Sequence, residues 1–186
     1  MQLDFATAWE TISDEIPEAD ALIQGDLVRS WREYEDRAAR LASGLAEHAL
    51  PPHANVGLAL YNGPEYSEAQ FACFKQRLTP FNVNFRYTAS ELRSLLEGAD
   101  AEILFFDASL RDSIGEIRRD LPLLRGLIQV GGDPAPDWAV SYESLIADSA
   151  PVPRIARSPD DIWMLFTGGT TGNPKGVMWP HGSMIQ

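Results

Sequence analysis

The chain is short of several things, and each shortage removes a class of explanation. It holds a single cysteine, Cys73, so no disulfide can close within it and the disulfide-stapled small folds are excluded. No apolar run approaches the ~18 residues of a membrane span. The N-terminal stretch MQLDFATAWE lacks the basic segment followed by an apolar one that marks a secretory leader, which leaves a cytoplasmic expectation. Basic charge is scarce: 15 Lys and Arg stand against 27 Asp and Glu, for a net charge of -12. Non-specific nucleic-acid binding needs cations to neutralise phosphates, so this balance argues against it. A nucleotide is still allowed, because one local cation can serve it. Internal repeats and low-complexity tracts are missing as well. With 45% hydrophobic and 23% charged residues, the 186 positions suit one globular domain with a real core.

What is there alternates between strand and helix. The first 40 residues carry ten acidic and four basic side chains, and the simplest expectation for them is a solvated face. Ala21 to Gln24, Gly25-Asp26 and Leu27 to Arg29 read as a small hairpin. Ser30 with Glu33 three residues on forms a capping-box pattern, opening a helix to about Ala49 whose apolar stripe is Tyr34, Ala38, Leu41 and Leu45. Strand candidates follow at Val56 to Leu60, Thr79 to Val83, Glu102 to Phe106 and Leu127 to Val130. Helices are expected from Pro64 to about Gln76, from Thr88 with its capping partner Glu91 to about Gly98, from Ser109 to Leu121 and from Tyr142 to Ser149. Such alternation predicts an α/β fold with a largely parallel sheet flanked by helices. Cys73 lies on an apolar helical face and is read as a core residue. Ala150 to Asp161, with three prolines and no periodicity, is expected to be a connector.

The connector leads into the sharpest chemical signal, Thr167-Gly168-Gly169-Thr170-Thr171-Gly172-Asn173-Pro174-Lys175-Gly176. Glycines let backbone amides approach a ligand closely, successive free N–H groups form a concavity suited to phosphate oxygens, and Lys175 supplies charge. From Ile162 to Gln186, Lys175 is the only formally charged residue. The short apolar runs Ile162 to Phe166 and Val177 to Trp179 make the loop a strand-to-strand connection. It is not a Walker loop, because Lys175 follows Pro174 and precedes Gly176 and no helix obviously begins there.

The string TGGTTGNPKG resembles the phosphate loop of the adenylate-forming superfamily, which includes acyl-CoA synthetases, amino-acid adenylation domains and luciferases. The runs Tyr61-Asn62-Gly63-Pro64-Glu65-Tyr66 and Pro80-Phe81-Asn82-Val83-Asn84-Phe85-Arg86-Tyr87-Thr88, with Glu91-Leu92, are similar to the N-terminal part of acyl-CoA synthetases. The resemblance therefore spans from about Val28 to the end. It implies an ATP-dependent ligase that activates a carboxylic acid, with a fatty acid as the favoured class, and passes the acyl group to coenzyme A. ATP, Mg2+ and coenzyme A are the implied cofactors and cosubstrates. Thr167, Gly168, Gly169, Thr170, Thr171, Gly172 and Lys175 would meet the phosphates, Lys175 would be the mobile catalytic cation, and Thr167 would also touch the metal. Asn84 and Arg86 are read as hydrogen-bond anchors at a strand-to-helix turn. His181 resembles a histidine common after the loop in relatives, and its plain reading is a helix-start residue; His48 and His53 suggest nothing.

Family members are much longer. The resemblance implies that residues 1–186 are a partial N-terminal domain, with the loop at 167–176 and the acid pocket, the nucleoside contacts and a C-terminal domain elsewhere, and that the segment alone does not turn over. Two other readings stay open here: an adenylation domain that loads a carrier protein, and a non-catalytic nucleotide-binding module. A homo-oligomer is compatible with the sequence, and no nucleic-acid or transmembrane partner is expected.

Overall fold

The computed structural model describes residues 3–132, 134–167 and 174–185. Among the described residues seven strands form the main sheet: β3 (Asn55–Ala59), β4 (Thr79–Asn82), β5 (Ala101–Asp107), β6 (Gly126–Val130), β7 (Val140–Ser141), β8 (Ile162–Thr167) and β9 (Lys175–Pro180). Their order is β7-β6-β5-β3-β4-β8-β9. Every neighbouring pair is parallel except β8 with β9, which is antiparallel. A separate hairpin, β1 (Asp20–Gln24) with β2 (Leu27–Ser30), turns through Gly25 at φ +59°, a left-handed conformation that glycine adopts without strain.

Two-residue periodicity along the strands assigns side chains to opposite faces. On β5, Ile103 and Phe105 join Val56 and Leu58 beneath α2 (Trp31–Ala46), α3 (Pro64–Lys75) and α6 (Tyr142–Asp148). Leu104 and Phe106 point the other way, to Leu92, Leu95, Leu96 and Ile114 of α4 (Ala89–Gly98) and α5 (Arg111–Ile117). Both capping boxes form. Ser30 and Glu33 open α2, and Thr88 and Glu91 open α4, each hydroxyl accepting from the N3 amide while the glutamate accepts from the cap amide. Each arrangement satisfies amide groups that a helix start would otherwise leave open. Cys73 is fully buried in the α3 face of the core, and burial pushes its thiol up.

Three expectations need correction. The acidic N-terminal segment is a solvated face only in part: Asp14, Glu15, Glu18, Asp20, Asp26 and Glu33 are exposed, while α1 (Phe5–Glu15), capped by Asp4, whose carboxylate accepts from Thr7 N at 2.9 Å, turns its other side inward. Phe5 and Trp9, one turn apart, pack on Phe74 and Phe71, while Glu10 is buried against Lys75 Nζ at 2.7 Å and Arg157 at 2.9 Å. The buried Glu10 carboxylate is matched by cations from remote segments, which composition cannot display. Secondly, α2 stops at Ala46 rather than Ala49, which takes a left-handed φ of 49°. Thirdly, the helix expected over Ser109 to Leu121 is α5 flanked by two 3-10 turns, Ala108–Leu110 and Arg118–Asp120. The two-residue strand β7 also escaped the sequence reading, being too short to carry an alternation.

Candidate functional site

The loop's flanks form a β-hairpin along one edge of the sheet. β8 and β9 pair in register from Ile162↔Pro180 to Thr167↔Lys175, so Thr167 and Lys175 face each other where the chain enters and leaves the loop. Both are exposed. Gly168, Gly169, Thr170, Thr171 and Gly172, expected to meet phosphates, lie outside the described residues. Next to the mouth, Gly176 pairs with Phe166. A Cβ there would come within 2.9 Å of Met164 Sδ and 3.1 Å of Phe166 Cζ, so a bare backbone lets these side chains close over β9.

Two sets of contacts hold the hairpin. At its root, Asp161 is buried and its carboxylate accepts from Arg77 Nε at 3.0 Å, Arg77 Nη2 at 2.9 Å and Ser158 N at 3.0 Å. Its carbonyl accepts from His181 N at 2.9 Å, so one residue ties the start of β8 to the residue after β9. Near the mouth, Asn82 at the end of β4 bonds Phe166 twice: Phe166 N donates to Oδ1 at 2.8 Å, and Nδ2 donates to Phe166 O at 3.2 Å. The sequence reading gave neither Asn82 nor Asp161 a role. A lone amide at the end of an apolar strand, in Thr79-Pro80-Phe81-Asn82, was the available signal for Asn82; Asp161 looked like any acid in an acidic chain.

His181 begins a short helix, α7 (His181–Met184), as its plain reading expected, and it is also a core residue with 1% of its surface exposed. Its ring stands edge-on to Phe5 at 4.9 Å and Phe74 at 4.5 Å, and neither ring nitrogen has a hydrogen-bond partner among the described residues. Burial lowers its pKa, against the opposing pull of Asp161 and Asp4. Asn84 acts as the anticipated anchor, its Oδ1 accepting from Arg86 N at 3.0 Å, and the Arg86 guanidinium lies over the Phe85 ring at 5.4 Å. His53 approaches Asp161 at 3.7 Å.

Beside the mouth, at the carboxyl ends of β3, β4 and β8, a cavity of about 320 Å³ is lined by Leu60, Asn62, Asn82, Phe85, Tyr87, Phe166 and their neighbours. In parallel sheets ligands gather at this end of the strands. Among the described residues no group of three or more His, Cys, Asp or Glu could hold a metal ion. Among the described residues no helix is long and apolar enough to cross a membrane.

A family model described as AMP-binding enzyme matches residues 9–186. The chain is 40% identical to the medium-chain acyl-CoA ligase Mig of Mycobacterium avium, over 91% of this chain and 34% of that protein. It is 36% identical to the 3-oxocholest-4-en-26-oate--CoA ligase of Rhodococcus rhodochrous, over 97% of this chain and 34% of that protein. In fold it is similar to the anthranilate CoA ligase AuaEII solved with anthranoyl-AMP, at a TM-score of 0.91 and 22% identity, over 97% of this chain and 35% of that one. The chain thus spans about a third of the length of the curated relatives it matches.

Proposed function

Because this chain belongs to the AMP-binding enzyme family, we propose that the protein carrying it is an ATP-dependent acid-thiol ligase of the acyl-CoA synthetase type. Residues 1–186 form the phosphate-handling first part of its large domain, and the acid-selecting and late catalytic parts lie in the two thirds of the relatives' length that this chain does not match. The observation that carries the reading is the hairpin whose mouth is closed by Thr167 and Lys175, set in a segment with no other formal charge.

In the first step a carboxylate oxygen attacks the α-phosphorus of ATP, the bond to the bridging oxygen breaks, and pyrophosphate leaves. Both partners are anionic, so the barrier is dominated by charge. Lys175, the hydroxyls of Thr167, Thr170 and Thr171, and the amides of Gly168, Gly169 and Gly172 stabilise the charge that builds on the departing pyrophosphate. The magnesium ion would enter with ATP as part of the substrate, and Thr167 would contact it. In the second step the coenzyme A thiolate attacks the acyl carbon and AMP leaves. ATP and coenzyme A are drawn from the cytoplasm, and the cytoplasmic expectation goes with them.

The acid is aliphatic in this proposal, since the two relatives described above are named for a medium-chain acyl group and for a steroid side-chain acid. The test is coenzyme A-dependent formation of AMP by the full-length protein over a panel of straight-chain, steroid and aryl acids. AMP with aliphatic acids is the expected result; no AMP with any acid would overturn the ligase reading. The 186-residue segment by itself is expected to form none.

A further inference from the structure

We infer that Asn82 is a positioning residue for the phosphate loop, acting through the backbone of Phe166; this rests on the ligase reading above. β4 and β8 are parallel neighbours, yet their ladder is brief, with one register pair, Phe81↔Met164, against the six that join β8 to β9. Where the ladder stops, β4 also ends, while Val83 N stays bonded to Leu58 O of β3 at 3.0 Å. Among the described residues, Phe166 and Thr167, the last two of β8 before the loop, have no register pair with β4.

The Asn82 side chain takes the place of the missing strand. A primary amide carries one acceptor oxygen and an N–H donor side by side, the same pair of groups that a peptide unit presents to a neighbouring strand. Its Oδ1 receives Phe166 N at 2.8 Å and its Nδ2 reaches Phe166 O at 3.2 Å. The two bonds grip different peptide planes, the one entering Phe166 and the one joining it to Thr167. The second plane contains the backbone nitrogen of Thr167, and Thr167 in turn is paired with Lys175. Asn82 therefore sets the orientation of the loop mouth through the Phe166 backbone. The Phe166 ring, edge-on to Phe81 at 5.3 Å, fixes the same residue from its side chain.

A purely structural amide can be told apart from a positioning one by a matched control. Asn55, at the opposite end of β3, also donates its Nδ2 to a backbone carbonyl, Ala99 O at 2.8 Å, far from the hairpin mouth. In the full-length protein, Asn82→Ala is expected to lower kcat for carboxylate-dependent ATP–pyrophosphate exchange by ~10- to 100-fold, the size of effect that slight misplacement of reacting groups produces. KM for the acid should stay within about twofold, since both Asn82 bonds go to the Phe166 backbone. Asn55→Ala should leave both constants near wild type. Asn82→Thr, which keeps one hydrogen-bonding group in a strand-compatible side chain, should fall between Asn and Ala and serves where the alanine variant fails to fold. Equal kinetics in Asn82→Ala and Asn55→Ala would overturn the inference and leave the ligase reading intact. Amide hydrogen exchange supplies the arm that needs no turnover: the segment around Phe166 and Thr167 should lose protection in Asn82→Ala and keep it in Asn55→Ala. Should no acid support exchange in the wild type, the ligase reading falls, and unchanged protection at Phe166 removes the Asn82 inference as well.

Discussion

Glu68 has no solvent-exposed surface and meets two guanidinium groups and a phenol. Arg37 Nε donates to Oε2 at 2.9 Å, Tyr142 OH donates to the same oxygen at 2.6 Å, and Arg29 Nε sits 2.8 Å from Oε1 as a charge contact without an aligned hydrogen bond. Burial raises the Glu68 pKa, and Tyr142, Arg37 and Arg29 oppose it. Removing one partner of a buried ion pair strands the others, at a cost of roughly 3–5 kcal/mol. Glu68→Ala is therefore expected to be among the most destabilising single changes in the chain, read as a drop of that order in the free energy of denaturant unfolding; a loss below ~1 kcal/mol would contradict the arrangement. In the sequence Glu68 is one of 27 acids, and its partners lie 31 to 74 residues away, so nothing local distinguishes it. Cys73 was legible because an apolar helical face already carried its environment. Lys75 shows the contrary case: it is a buried cation held by Glu10 at 2.7 Å and Glu35 at 2.6 Å, and no pattern in Phe74-Lys75-Gln76 reveals either.

Elements whose signals are local were the readable ones. The capping boxes at Ser30 and Thr88 each sit within four consecutive residues, and both helices begin where those residues say. α1 was missed because its burial depends on an aromatic cluster assembled from Phe5, Trp9, Tyr34, Phe71, Phe74 and Trp163, drawn from four elements. His181 closes one side of that cluster, and its burial makes a pH prediction. A buried neutral imidazole whose pKa is held below its ordinary value near 6.5 resists protonation in the fold, while the unfolded chain accepts the proton normally. Stability from this residue is thus present above that value and is lost as pH falls below it, the unfolded state binding the extra proton. Between pH 7.5 and pH 5 the wild-type melting temperature should fall further than that of His181→Phe, which keeps the ring contacts and cannot titrate. Equal falls in the two proteins would show that some other group carries the acid sensitivity.

At the scale of the whole molecule, the alternation of strands and helices identified a parallel sheet, and the loop between two apolar runs identified a strand pair. The strand order was not readable. β8 lies beside β4 although 79 residues separate Asn82 from Ile162 and the connector joining β7 and α6 to β8 crosses the molecule. That connector is fastened by Arg154 to Asp14 at 2.7 Å and by Arg157 to Glu10 at 2.9 Å, contacts more than a hundred residues long in sequence. The edge strand β9 leaves Met178 68% exposed and Trp179 43% exposed, an apolar border on the root half of the hairpin. Of the proposed site, the composition of the loop was legible, whereas the two clamps on its hairpin, Asn82 and Asp161, required the fold.

In the proposed function this hairpin handles the pyrophosphate end of ATP in a carboxylate-activating enzyme. Carboxylate-dependent ATP–pyrophosphate exchange by the full-length protein, with and without Lys175→Ala, tests it most directly. Exchange is expected to require an aliphatic acid and to fall on the order of 10²-fold when Lys175 is replaced, the scale of losing one preorganised stabiliser of transition-state charge. Exchange that ignores the acid, or that survives the loss of Lys175 unchanged, would contradict it.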